Sequence, residues 1–163
     1  MQANESLDKI NIVQKKSLSE SFSQNEIETE VLWCDNCNIP LIHEVADLEN
    51  KCSLCGKEGR YLIKDIRPVF PEERLLIEIL LNVPLKWKNE SVWANNNNYF
   101  INGRKISVSF KKYRKIDVNS IVNSINEYSA QNQSNSFEKY VELFIKANRI
   151  HLSKISEEAK KFI

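Results

Sequence analysis

The sequence CDNC at residues 34–37, followed after 14 residues by CSLCG at residues 52–56, decides the fold of this chain. Each CxxC pair offers two thiolates from one tight turn, and two such turns supply the four ligands of a structural zinc site. Gly56 directly follows the second pair, where the chain often needs a positive φ angle that glycine adopts without steric cost. We therefore predict a zinc ribbon whose metal ligands are Cys34, Cys37, Cys52 and Cys55.

The sequence gives less support to other interpretations of these cysteines. No apolar segment near the N-terminus would send the chain to an oxidising compartment, so disulfides are not expected. Iron is the alternative metal, because thiolate ligands alone do not separate it from zinc. His43 lies between the two pairs, but four cysteines already complete a tetrahedral shell. Such a closed shell leaves no position for a substrate, so we expect a structural and noncatalytic site.

Size and charge set limits on the class of protein. A chain of 163 residues forms one domain or two small ones, and its formal net charge of +1 gives no global argument for nucleic-acid binding. The longest apolar stretch, Leu75–Leu81, is interrupted by Glu78 and is far shorter than the ~20 residues of a membrane span. No phosphate-binding glycine motif is present. We expect a cytoplasmic protein with no membrane partner.

The pattern of the chain predicts an α+β fold. A small β-type zinc ribbon is followed by a helix, a β-hairpin or small antiparallel sheet, and C-terminal helices. The expected parts are a polar tail or linker at 1–30, the zinc ribbon at 31–66, a small α+β domain at 67–128 and a helical segment at 129–163. That last segment would lead towards a further C-terminal domain.

Local signals place the elements within these parts. A helix should begin at Glu72 and end before Pro84, and Asn102-Gly103 is a strong type I′ turn signal between two strands. The remaining expectations are a weak helical face at Leu7, Ile10 and Val13, strands at 91–94, 98–101 and 105–110, a helix at 118–128, a polar linker at 129–136 and a helix from Phe137. The 3-4 spacing of apolar residues in this last helix continues to Phe162 and is broken only by Asn148.

Six basic residues cluster in the sequence around the last predicted strand, with Tyr99, Phe100, Phe110 and Tyr113 among them. Basic and aromatic residues on a small sheet can follow a phosphate backbone and stack on bases. The same pattern suits a solvated strand edge that lysines protect from unwanted pairing. The candidate nucleic-acid-binding residues are Arg104, Lys105, Lys111, Lys112, Arg114 and Lys115.

Protein interaction is a further alternative. Trp33, Trp87 or Trp93 could dock on a partner if exposed, although three tryptophans in a chain of this size are more often core residues. No catalytic residue is predicted. The adjacent acids Glu72 and Glu73 point about 100° apart on a helix and so do not share a site.

Three stretches together resemble a known family. They are LWCDNCNIPLI at 32–42, CSLCG at 52–56 and DIRPVFPEE at 65–73, and the last is the most specific. They look like the N-terminal region of archaeal-type phosphoadenosine phosphosulfate (PAPS) reductase-like proteins. Residues 91–110 are similar to the hairpin region that follows in those proteins, and the closing helices resemble theirs more loosely.

The resemblance implies an adenine-nucleotide enzyme of the pyrophosphate-loop type, whose catalytic domain lies C-terminal to this region. Its Ser-Gly-Gly-Lys-Asp-Ser-like loop is not in this sequence, so only the metal ligands carry over and enzymatic activity is left undecided. The expected function is a noncatalytic, zinc-stabilised N-terminal module that presents substrate or docks a pyrophosphate-loop domain, in cis or in trans. The alternative is a stand-alone zinc ribbon that binds nucleic acid or another protein.

Overall fold

The structure, a computed structural model, describes residues 27–163. Within this range the chain is α+β, as predicted, with two small antiparallel sheets and four α-helices. The elements are β1 (Thr29–Cys34), β2 (Ile39–Glu44), β3 (Arg60–Ile63), β4 (Arg67–Pro68), α1 (Pro71–Leu80), β5 (Val92–Asn95), β6 (Asn98–Ile101), β7 (Arg104–Ser107), a 3-10 helix (Phe110–Tyr113), α2 (Val118–Asn132), α3 (Phe137–Ala147) and α4 (Arg149–Lys160). The weak helical face predicted at Leu7, Ile10 and Val13 lies outside the described residues.

The first sheet carries the cysteine turns and has the strand order β2-β1-β3. Its central strand β1 pairs antiparallel with both neighbours, and Cys34 lies opposite Ile39 where the first hairpin closes. Leu32, Ile39 and Leu41 form a small apolar core with the buried cysteines.

The second sheet has the order β4-β5-β6-β7. The turn between β6 and β7 is the predicted one, with φ angles of 50° at Asn102 and 72° at Gly103, as a type I′ turn requires. One face of the sheet packs through Ala94 and Tyr99 on Ile77 of α1. Because side chains alternate along a strand, Trp93 and Phe100 point to the other face.

This other face joins the two sheets. Trp93 and Phe100 form one cluster with Trp33 of β1, and Phe144 of α3 packs against the cluster with its ring centroid 4.9 Å from that of Trp93. Trp33 and Trp93 are fully buried. They are core residues, and a docking role that needs them exposed is therefore wrong.

Two helices begin as their sequences predict. α1 has Pro71 in its first turn, followed by Glu72 and Glu73, which favour a helix N-terminus. The Asp117 side chain caps α2 by accepting hydrogen bonds from the backbone N–H groups of Asn119 and Ser120. No helix in the described part of the chain combines the length and apolarity needed to cross a membrane.

Three predicted boundaries are wrong. β7 ends at Ser107 instead of 110, because Val108 is buried and the chain then turns into the 3-10 helix. α2 runs through part of the predicted 129–136 linker, because the buried side chain of Asn132 binds Arg74 and the carbonyl of Pro71. The predicted C-terminal helix is divided into α3 and α4 at Asn148.

Candidate metal centre

The first cysteine turn joins β1 to β2. The backbone N–H of Asn38 donates to the carbonyl of Cys34 at 2.8 Å, and Asn38 adopts a positive φ of 60°. The backbone N–H of Cys37 donates to the Sγ atom of Cys34 at 3.3 Å. These bonds hold both thiols on the same side of the turn.

The second turn is built in the same way. The backbone N–H of Gly56 donates to the carbonyl of Cys52 at 2.8 Å, and the backbone N–H of Cys52 donates to the carbonyl of Lys57 at 2.8 Å. Gly56 has a φ of 71°, as predicted from its place after the second pair. A residue with a side chain would be strained there.

The two turns bring the four cysteines together, and their Sγ atoms all lie within 4.8 Å of one another. The Sγ atoms of Cys34 and Cys55 are 3.5 Å apart, and those of Cys37 and Cys52 are 3.9 Å apart. A tetrahedron with metal–sulfur bonds of ~2.3 Å has edges of about 3.8 Å. The cluster therefore has the composition and size of a four-thiolate metal site, which is compatible with a zinc ribbon.

The thiols differ in how readily they ionise. Burial raises the pKa of Cys34 and raises that of Cys37 to about 12. The backbone N–H of Lys57 lowers the pKa of Cys55 to about 7. Cys55 therefore ionises more readily than Cys34 or Cys37. A metal ion bound here would have to displace protons from Cys34 and Cys37, so its affinity would rise with pH.

Helix α3 packs on the apolar core that includes Cys34 and Cys52. Tyr140, Leu143 and Ala147 pack against it, and the Ser53 hydroxyl donates to the carbonyl of Ala147 at 2.8 Å. The second cysteine turn is therefore fixed to the end of α3. No local signal in the sequence indicated this contact, because its two sides are 94 residues apart.

The first cysteine turn contacts the β6–β7 hairpin. Asn38 donates from its side chain to Oδ1 of Asn102 at 2.7 Å. Arg60 donates through Nε to both oxygens of Asp35 at 3.1 Å and through Nη2 to the carbonyl of Gly103 at 3.0 Å. These hydrogen bonds attach the first cysteine turn to the second sheet.

The two histidines lie apart from the cysteine cluster. His43 is in β2 with Nδ1 3.3 Å from Oε1 of Glu30, and His151 is in α4 with Nδ1 3.8 Å from Oε1 of Glu44. Among residues 27–163, the four cysteines are the one group of three or more candidate metal ligands that converges. His43 is not part of that group, as expected.

All six basic candidates, Arg104, Lys105, Lys111, Lys112, Arg114 and Lys115, are exposed. None of them has a carboxylate partner within 4.0 Å in the described range. Of the aromatic residues near them in the sequence, Tyr99 and Phe100 are buried, whereas Phe110 is 40% exposed. Tyr99 and Phe100 therefore cannot provide the stacking surface that the sequence suggested.

Comparison of the chain with protein-family models, with curated proteins and with solved structures finds no match.

Proposed function

We propose that this chain is a noncatalytic module stabilised by one zinc ion bound to Cys34, Cys37, Cys52 and Cys55. The convergence of the four Sγ atoms within 4.8 Å carries the proposal. Zinc is the usual metal of four-cysteine structural sites, and iron is the alternative that metal analysis would distinguish. Reduced thiols of this kind suit a cytoplasmic location.

The proposed role of the metal is to connect parts of the molecule. Four thiolates would close the coordination shell, and Leu143 and Ala147 of α3 pack on the apolar core that includes two of them, Cys34 and Cys52. The ion therefore has no open position for a substrate. Zinc bound at this point would fix the ribbon, the β6–β7 hairpin and α3 relative to one another.

Removal of the metal tests this role. A chelator at neutral pH should release one equivalent of zinc and change the environment of Trp33, which is buried between the two sheets. Near-ultraviolet circular dichroism and tryptophan fluorescence would report that change. If the metal is released without a change in either signal, the ion does not hold the two sheets together.

The sequence resemblance supports a place for this module at the N-terminal side of a PAPS reductase-like protein. There it would present an adenine-nucleotide substrate or dock a pyrophosphate-loop domain, in cis or in trans. Exposed isoleucines on the C-terminal helices support docking: Ile145, Ile150 and Ile155 are 50%, 74% and 48% exposed.

The intact mass of the polypeptide in its source cells tests this placement. A mass well above 19.0 kDa is the expected result if the catalytic domain is present in cis. A mass near 19.0 kDa would leave only a partner in trans or a stand-alone module. If the purified chain reduced or cleaved a sulfonucleotide unaided, the noncatalytic assignment would be wrong.

A second candidate function is the binding of nucleic acid. Its specific support is that Arg104, Lys105, Lys111, Lys112, Arg114 and Lys115 are all exposed and lack carboxylate partners in the described range. Phosphate contacts make affinity fall steeply with salt. A gel-shift titration across salt concentrations tests it, and the absence of any shift at low salt would exclude it.

A further inference from the structure

A groove of about 740 Å³ opens between the first cysteine turn and the second sheet. Its walls come from the first cysteine turn, the loop between α1 and β5, and the β6–β7 hairpin. The residues that matter here are Asp35, Arg60, Lys86, Trp87, Glu90 and Arg104. The volume falls within the ~300–1,000 Å³ that small-ligand sites occupy.

The charges in the groove favour an anion. Three cations and two carboxylates line it. Asp35 is paired with Arg60 and Glu90 accepts from the uncharged side chain of Asn102, so the formal charges of the lining sum to +1. Lys86 and Arg104 are exposed and have no carboxylate within 4.0 Å among residues 27–163. These two side chains are the ones left to bind phosphate.

Trp87 gives the groove a fixed aromatic wall. Its backbone N–H donates to the buried carboxylate of Glu78 at 2.6 Å, and the N–H of Leu85 donates to the same carboxylate at 2.9 Å. Part of the indole packs against the apolar cluster under α1, and the residue as a whole is half-buried. The Nζ atom of Lys86 lies 6.0 Å from the centroid of the Trp87 ring. An aromatic ring on an anchored backbone, beside cations without carboxylate partners, is an arrangement on which unpaired bases can stack.

We propose that this groove binds single-stranded nucleic acid, with one base on Trp87 and neighbouring phosphates on Lys86 and Arg104. The inference rests on the second candidate function and assigns it a site. Arg104 belongs both to the groove and to the set of six exposed basic residues that supports the second candidate function. A single strand fits better than a duplex, because a base must be unpaired to stack on the indole.

The groove also depends on the metal centre. Asp35 lies between the ligands Cys34 and Cys37, and Asn38, directly after Cys37, bonds to Asn102 of the hairpin. Loss of the metal should therefore displace the first cysteine turn, which forms one wall of the groove. Nucleic-acid binding and zinc content should fall together in a chelator titration.

Fluorescence anisotropy tests the proposal, with the zinc-loaded full chain and a labelled 12-nucleotide single-stranded RNA of mixed sequence at low salt. We expect Trp87→Ala to weaken binding about 10-fold and Trp87→Phe to retain most of it, because any aromatic ring stacks. We expect a Lys86→Ala, Arg104→Ala double variant to reduce the slope of log affinity against log salt by about 1.4, since two phosphate contacts are lost. A Lys160→Ala, Lys161→Ala double variant is the matched control, because it removes two exposed charges from the end of α4 and should bind as the parent does.

Each other result overturns a distinct claim. If the parent does not bind at low salt, both the second candidate function and the groove assignment fail. A second result would separate the two claims: the Trp87 and Lys86/Arg104 variants bind with the affinity of the parent, and only substitution of Lys111, Lys112, Arg114 and Lys115 abolishes binding. In that case the second candidate function stands and the groove assignment fails. Equal affinity for a mononucleotide or for the same RNA in a duplex would contradict the single-strand assignment. Circular dichroism and zinc content show whether each variant is folded. Because Lys86 and Arg104 are exposed, their double variant should fold, and it tests the groove even if Trp87→Ala does not fold.

Discussion

The side chain of Asn148 accepts a hydrogen bond from the backbone N–H of Ile42 at 2.6 Å. Its amide nitrogen donates to the carbonyls of Pro40 at 3.1 Å and Phe144 at 2.8 Å. Ile42 lies in β2, an edge strand of the first sheet, and Asn148 separates α3 from α4. One buried side chain thus ends a helix, satisfies an edge strand and attaches the C-terminal helices to the ribbon.

Replacement of Asn148 by Ala should be costly. The backbone N–H of Ile42 would lose its partner, and an unsatisfied buried donor costs about 1–3 kcal/mol. Urea unfolding of the zinc-loaded protein measures the loss. Asn123→Ala, at an exposed position of α2, is the control and should change stability by less than about 0.5 kcal/mol. Equal stability of the two variants would show that Asn148 does not attach α3 and α4 to the sheet.

Gly103 and Gly56 form a matched pair for substitution by Ala. Their φ angles are nearly the same, 72° and 71°. A Cβ atom at Gly103 would lie 2.5 Å from Nε1 of Trp33 and from Nη2 of Arg60, whereas a Cβ atom at Gly56 meets nothing within 4 Å. Both variants incur the backbone cost of ~1–2 kcal/mol, and Gly103→Ala should lose about 1–3 kcal/mol more through displacement of Trp33.

Thermal or urea unfolding of both glycine variants, with the metal content held equal, makes this comparison. The expected order of stability is parent, then Gly56→Ala, then Gly103→Ala. If Gly56→Ala is the less stable of the two, the close approach of Trp33 to the hairpin does not contribute as described.

Glu73 should make stability depend on pH. It accepts two hydrogen bonds from Arg67, at 2.8 and 2.7 Å, and one from the Tyr99 hydroxyl at 2.9 Å. The Arg67 bonds, and secondarily Tyr99, hold the pKa of Glu73 below its ordinary value of 4.5. Because the folded pKa is the lower one, this stabilisation is complete above about pH 4.5 and is lost as the pH falls through the folded pKa.

The test compares the stability of the parent and of Glu73→Gln at neutral pH and at a series of pH values below 4.5. At neutral pH the variant should be less stable by about 1 kcal/mol, since the ion pair is partly exposed. As the pH falls below 4.5 the difference should shrink, because the parent carboxylate also becomes protonated once the pH passes its folded pKa. A difference that stayed constant over this range would contradict the role of the Glu73 charge.

The loss of one cysteine ligand should be the most severe change. A structural zinc ion contributes on the order of 10–16 kcal/mol of apparent binding energy, which is comparable with the ~5–15 kcal/mol stability of a whole domain. Cys52→Ser should therefore unfold the ribbon and disturb the cluster of Trp33, Trp93 and Phe144, as seen in near-ultraviolet circular dichroism. Leu54→Ser, at a 41% exposed position of the same turn, keeps all four ligands and should stay folded.

The sequence predicts those features that local chemistry determines. Spacing and turn residues identify the four cysteines, the Asn102-Gly103 turn and the N-terminus of α2, because each signal lies within a few residues of its effect. Asn132 is different. It extends α2 into the predicted linker through contacts with Arg74 and Pro71, which are distant in sequence.

The role of Asn148 is a second feature that the sequence does not predict. In the sequence it is only the one polar exception in an apolar 3-4 spacing. In the structure it is buried and bonds to β2, about 106 residues earlier in the chain. The groove lined by Trp87 was also not predictable, because three separate segments meet there only after the two sheets have packed together.

Metal content tests the central claim most directly. The parent, Leu54→Ser and Cys52→Ser proteins should be purified without a metal-binding tag and without added metal, and analysed by elemental mass spectrometry. The account predicts one zinc per chain in the parent and in Leu54→Ser, and none in Cys52→Ser. A parent chain without metal, or a Cys52→Ser chain that keeps one full equivalent, would contradict the assignment of the four cysteines as a single metal centre.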